Sequence, residues 1–304
     1  MSTQRYQRAY SMLWFVLAVL SALFSASAAI AQKKILFSMS ALEFSFAVSV
    51  VIAVLSSTLA IWVDVSGLTV STIVIIAVKS LISGVAFLLV MTALEANPIS
   101  SALPLLGLTP AVTALLALPA LGETLQWWEV VGVLLMAAGT YILEYRPGHS
   151  VRDILRADWT ERAHYPIFGA LVLFAISSVL DRKLVGGLKV PTATVLVYQH
   201  IIYCLVFGIV LAWRHAGLRR IVDRSRAVFP LLLLVALLTI AYRYLQLQAT
   251  ASAPVALVLA VKRSSILIAS LVGGRLFKEE RLRMKLVGAT IIVGAGFLIL
   301  RNVG

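Results

Sequence analysis

Four basic side chains interrupt runs of sequence that are otherwise apolar: Lys79, Arg243, and the adjacent pair Lys262 and Arg263 in "VLAVKRSSIL". An ammonium is a compact point charge and a guanidinium a planar fork of donors, a combination suited to holding phosphate or carboxylate. Polar neighbours fall at helical spacing around them. Tyr242 and Gln246 share a face with Arg243, and Gln199, His200 and Tyr203 cluster in another apolar run. Hydrogen bonding between helices is the simpler use of these neutral groups. The pattern is one of binding and not of catalysis. There is no His/Asp/Glu cluster at metal spacing, no nucleophile–base pair and no phosphate-cradling glycine loop. The expectation is a non-enzyme without metal or cofactor.

The elements that position these charges follow from the solvent the chain is built for. Of 304 residues, 61% are hydrophobic and 13% charged, and the mean hydropathy is +0.99. Soluble domains carry about a quarter charged residues. A bilayer core needs about 20 apolar residues in helical form, because unpaired backbone is too costly in lipid. Ten segments qualify: 10–31, 39–63, 68–94, 98–120, 127–145, 165–184, 193–213, 228–250, 253–277 and 285–301. The expected fold is an all-α membrane protein in a multi-pass arrangement, in a prokaryotic inner or plasma membrane. Each mid-span cation costs about 2.5–3.5 kcal/mol if it faces lipid. The four must therefore face water, a partner or a ligand. Two have a structural alternative: Arg243 could snorkel, and Lys79 could pair with Glu43 or Glu95.

The net charge of +13 lies mostly in short segments between spans, which suits anionic lipid headgroups and not nucleic acid. Residues 1–31 have some features of a signal peptide, but their apolar stretch is long enough to span and is kept as a helix. The single cysteine, Cys204, supports no disulfide framework. The 146–164 linker and "GLRRIVDRSRAV" read as interfacial segments.

The chain repeats itself at a displacement of 156 residues. "NPISSALPLLGLTPAVTALLALPALGE" lies over "APVALVLAVKRSSILIASLVGGRLFKE", with Pro98 on Pro254 and Glu123 on Glu279. At a slightly smaller displacement "AIAQKKIL" lies over "SVLDRKLV". Five spans per copy force opposite orientations, giving two inverted five-helix repeats, 1–145 and 165–304, around a central cavity. None of the four cations has a basic counterpart in the other copy: Lys262 and Arg263 fall on Leu106 and Gly107, Arg243 on Phe87, and Lys79 on Val235. Charges needed only to build the unit should appear twice, so these belong to the substrate. Opposite the pair, Pro104, Gly107, Thr109 and Pro110 predict a helix break lining the cavity.

Ten helices in two halves, with "LGE" closing the fourth and "VVGVLLMAAGTYIL" forming a glycine-rich fifth, resemble the EamA-type branch of the drug/metabolite transporter superfamily. The resemblance implies a secondary carrier or exporter of small metabolites without ATP hydrolysis. The second copy reads "FKE" where the first reads "LGE". "VKR" also resembles plastid phosphate-translocator relatives, which implies a Lys-Arg pair holding phosphate at Lys262 and Arg263. The expected function is alternating-access transport of a small anionic metabolite: an organophosphate, a carboxylate or an amino acid. The alternative within transport is a proton-coupled exporter of cationic or neutral drugs, for which the first span offers no carboxylate and Glu43 is the only substitute. A lipid-modifying enzyme and a non-transporting receptor are the readings from other classes. The oligomeric state is open.

The positive-inside rule predicts that both termini lie outside the cytoplasm. With that orientation, inside loops hold 15 Lys and Arg residues, among them Lys33, Lys34, Arg219 and Arg220. The outside holds 6: Arg5, Arg8, Arg182, Lys183, Lys189 and Arg301. The family resemblance implies cytoplasmic termini. A reporter fused after Gly304 and active only outside the cytoplasm should give signal; silence would reverse the assignment.

Overall fold

The structure is a computed structural model that describes residues 2–58, 68–97, 103–123, 125–144, 165–214 and 217–276, with isolated positions beyond. The described residues are helical throughout their ordered elements. The helices are α1 (Ser2–Ile35), α2 (Ala41–Ser57), α3 (Val70–Ala96), α4 (Thr109–Leu121), α5 (Trp127–Glu144), α6 (Tyr165–Arg182), α7 (Thr192–Trp213), α8 (Leu218–Ala227), α9 (Phe229–Ser252), α10 (Val255–Lys262) and α11 (Ser264–Leu276). The linker 146–164 lies outside the described residues, as does most of the tenth apolar segment.

Among the described residues, four helices are long and apolar enough to cross a membrane: Met12–Ile35, Val70–Ala96, Thr192–Trp213 and Phe229–Ser252. Their outward faces carry exposed apolar side chains at helical spacing, such as Leu13, Val16, Leu20 and Leu23 on α1 and Val74, Val78, Leu81 and Val85 on α3. Water does not tolerate such stripes, and lipid does. The chain is a multi-pass integral membrane protein. The first apolar stretch packs into the bundle as part of α1, against α9, α10 and α11, with Ala18, Ala22 and Ser21 fully covered.

Consecutive long helices run up and down the bundle. At one end, Lys33 of α1 donates to the carbonyl of Asn97 (2.9 Å) and to that of Leu94 (2.5 Å), while Glu95 accepts the Ala41 amide at 2.9 Å. Arg224 of α8 reaches Glu43 of α2 at the same end, at 2.9 Å. Glu43 also closes a capping box with Ser40, satisfying donors at the start of α2. α8 itself fits the interfacial reading: Leu218 and Val222 are exposed beside Arg219, Arg220 and Arg226.

The opposite end is held by a latch built on Glu123. α4 stops at Gly122, whose φ of +66° is the left-handed conformation that favours glycine. That turn delivers Glu123 to two partners at once. Its Oε1 accepts from Arg182 Nε at 2.6 Å and its Oε2 from the Val255 amide at 3.1 Å. Arg182 in turn donates to the Thr250 carbonyl at 2.7 Å. A Cβ on Gly186 would stand 2.5 Å from the Arg182 guanidinium, so only glycine leaves that room. Lys183–Gly187 forms a π-helical turn that leads out of α6.

Two spans are broken: the fourth, where the prolines predict a break, and the ninth, where none was expected. The fourth begins as a 3-10 turn, Pro104–Leu108, before α4 starts at Thr109. The ninth breaks at Arg263, between α10 and α11, with no proline or glycine at the break. The Arg263 amide is shared between the carbonyls of Leu259 (2.9 Å) and Ala260 (3.2 Å), a tightened last turn. The break at Arg263 falls on Gly107 at the 156-residue displacement.

Replacing Glu123 by alanine should lower the unfolding temperature in detergent by exposing two donors that have lost their acceptor, a cost of about 1–3 kcal/mol for each such group. Glu123→Gln, which keeps one acceptor oxygen, should fall between that variant and the parent. Equal stability of all three proteins would show that the latch contributes nothing.

Candidate functional site

The buried cations converge. α3 brings Lys79, α9 brings Arg243 and the α10–α11 break brings Lys262 and Arg263. Arg243, Lys262 and Arg263 line one cavity of about 90 Å3, and Lys79 sits behind its wall. Gln199, His200, Tyr203, Tyr242 and Gln246 line the same cavity. Thr109 stands beside it and accepts a hydrogen bond from Arg263 Nη2 at 2.9 Å. Gly107 and Pro110 are buried but do not line the cavity; the broken fourth span instead presents Leu103 and Leu106 to a neighbouring one.

Lys79 does not pair with Glu43 or Glu95. Those acids are taken at the far end by Arg224 and by the Ala41 amide. The partner of Lys79 is Asp181, near the C-terminus of α6, with Nζ 2.9 Å from Oδ1. Lys79 is wholly buried and Asp181 is 2% exposed, so water contributes little to either charge. Arg243 does not snorkel: its Nη2 lies 3.1 Å from Asp181 Oδ2. One carboxylate therefore bridges two cations. Asp181 was absent from the sequence expectations because it sits near the end of the sixth apolar segment, where a charge is ordinary. The adjacent serines of "ISSVLDR" were its only signal: Ser177 and Ser178 are buried and line the cavity with it.

The remaining donors share neutral oxygens. Gln199 Oε1 accepts from Arg243 Nη2 at 2.8 Å and also from Lys79 Nζ. Gln246 Oε1 accepts from Arg243 Nη1 at 3.2 Å and also from Lys262 Nζ. Having a cation on each fixes which way both amides point. Lys262 Nζ also lies 4.7 Å from the centre of the Tyr242 ring, a cation–π contact. Arg263 Nε is buried without a hydrogen-bond partner. His200 donates from Nδ1 to the Leu196 carbonyl at 2.9 Å. Tyr203 stacks 6.2 Å from Phe87 and lies 5.6 Å from His200, completing an aromatic wall. Among the described residues, no group of three or more His, Cys, Asp and Glu forms that could hold a metal.

Among the described residues, the balance around the cavity is four positive side chains to one negative. Replacing Asp181 by asparagine removes that one. Breaking a buried ion pair in this way costs about 3–5 kcal/mol. Asp181→Asn should therefore unfold at a clearly lower temperature than the parent. Added phosphate should restore it by more degrees than it stabilises the parent, because the anion takes the place of the lost carboxylate. An identical phosphate effect on both proteins would contradict the arrangement.

The fold is shared with solved proteins. One crystal structure of a protein superposes with a TM-score of 0.68 at 15% identity, covering 94% of this chain and 95% of its own. No curated protein sequence matches the chain. Residues 12–145 match the model of the EamA-like transporter family. That stretch contains α1 to α5, including Lys79, Thr109 and the Glu123 latch. By this match residues 12–145, somewhat under half of the chain, are similar to the EamA-like transporter family.

Proposed function

We propose that the protein is a secondary transporter of a small anionic metabolite, an organophosphate, a carboxylate or an amino acid, bound between Arg243, Lys262 and Arg263. The observation that carries this reading is the shortage of negatively charged acceptors around the cavity, where Asp181 is the one carboxylate among the described lining residues. Two glutamine oxygens each serve two cations, and Arg263 Nε serves none. A phosphate or carboxylate supplies several charged acceptor oxygens at once, and charge-assisted bonds are the strong ones. α11 starts beside the pair at Ser264, so its positive end also favours an anion there.

Transport proceeds by alternating access between two inverted halves, 1–145 and 165–304, joined by the 146–164 linker. Three features support that organisation. Helix packing exchanges under the repeat: α1 packs on α9 as α6 packs on α3, while α2 pairs with α7 and α4 with α10. The breaks in the fourth and ninth spans fall at matching positions. Lys33 donates to the Leu94 carbonyl as Arg182 donates to that of Thr250, and Leu94 and Thr250 are also repeat counterparts. In this conformation the Glu123 latch ties the first half to the second at one end.

Proton-coupled export of a cation is the second reading, and Asp181 is the observation that favours it: a cavity carboxylate at membrane depth. Against it, both Asp181 oxygens already face cations. Glu43, the acid available to that reading in the sequence, is engaged by Ser40 and Arg224 away from the cavity.

Counterflow in proteoliposomes tests the assignment with phosphate esters, carboxylates, amino acids and quaternary amines. Anions should accumulate, and Lys262→Ala or Arg263→Ala should cut that uptake by about tenfold or more, since a hydrogen bond to a charged group is worth about 1.5–3 kcal/mol. Preferential uptake of amines, unchanged in Lys262→Ala, would establish the cation reading instead. A substrate recovered chemically altered would mark an enzyme, and no accumulation of any solute would mark a receptor.

A further inference from the structure

A second cavity of about 110 Å3 adjoins the first. The two share Phe87, Phe174, Tyr242, Lys262 and Arg263 as a common wall. Their linings differ in kind. The first holds Asp181, Gln199, His200, Arg243 and Gln246. The second, towards the end of the bundle where Lys33 meets Leu94, is lined mainly by apolar side chains: Val90, Met91 and Leu94 of α3, Leu103 and Leu106 of the broken fourth span, and Ile266 with Ala269 of α11. Its charged members are the two shared cations, and Ser25, Gln32 and Ser265 are its other polar ones apart from Tyr242.

The geometry points to a two-part site for an amphiphilic anion: the charged head lies on the side of Arg243 and the shared cations, and an apolar body extends past Phe87 and Phe174 into the second chamber. This inference rests on the anion reading and narrows it. A bare phosphate or acetate would fill the polar chamber and leave the other unoccupied. An aliphatic or aromatic monocarboxylate, including an amino acid with an apolar side chain, would fill both. The shared position of Lys262 and Arg263 is what couples the parts, because a head group bound to them cannot avoid aiming its substituent at one chamber or the other. The polar chamber is already furnished with Gln199, Gln246 and Asp181, so the apolar substituent is directed away from it.

The test is a binding series on the purified full-length protein, read by thermal stabilisation: inorganic phosphate, then straight-chain monocarboxylates from acetate to octanoate, with primary amines of the same lengths as controls. Affinity should rise about fourfold per added methylene, the value expected for burying one such group, until the second chamber is full. Ala269→Leu, which occupies part of that chamber, should shorten the chain length at which affinity peaks. A flat carboxylate series, with acetate and phosphate still bound in a Lys262-dependent way, would overturn the two-part site and leave the anion reading standing. Amines that gain as steeply as the acids would show simple apolar partitioning and overturn it as well. Failure of every anion to bind would remove the reading beneath it. If Ala269→Leu does not fold, the parent series alone decides.

Discussion

Everything at the centre of this bundle depends on one electrostatic constraint: among the described residues, one buried and three partly buried cations are served by one buried carboxylate. In lipid an isolated charge is costly, and it persists only with a partner, a water-filled cavity or a ligand. Here the partners run out. Asp181 is divided between Lys79 and Arg243, and two amide oxygens are each divided between two donors. The network holds the cations in place and leaves them short of negative charge, the charge that the proposed anion would supply. Both properties come from the same count of donors and acceptors.

The scaffold places that deficiency where it can be used. Lys79 and Asp181 form the wholly buried part, fixing Arg243 from behind. Lys262 and Arg263 form the part beside the helix break, where α10 ends and α11 begins. Broken helices are tolerated at membrane depth where they border a cavity or other protein. The first-half break needs Pro104 and Pro110 at its edges; the second uses none, and its last turn tightens onto Leu259 and Ala260. Two sequences thus reach one backbone feature by different chemistry.

The latch illustrates the same economy of parts. "LGE" has a separate physical job for each of its last two residues: Gly122 supplies the left-handed turn and Glu123 the acceptor for Arg182 and Val255. In the proposed alternating-access cycle, a contact of this kind at one end would decide which side is closed. A latch that is partly exposed, as Glu123 and Arg182 are, can open without the full cost of separating a buried pair.

Much of this was legible in the residues alone. Apolar runs of spanning length and the cations within them follow from local composition, because a bilayer imposes its thickness and its intolerance of charge on each segment separately. Gln199, His200, Tyr203, Tyr242 and Gln246 could be grouped with them because helical spacing fixes which residues share a face. The partners of the charges were not legible. Glu43 and Glu95 were as available to Lys79 as Asp181 by sequence, and only the packing of α3 on α6 chose between them. Gly107 and Pro110 mark the break but not which side chains it turns inward; Leu103 and Leu106 take that place. Which faces meet is a property of helices already assembled. The kinds of residues placed in the membrane were therefore determined by the sequence, and the pairings that leave Arg263 short of an acceptor were decided by tertiary structure alone.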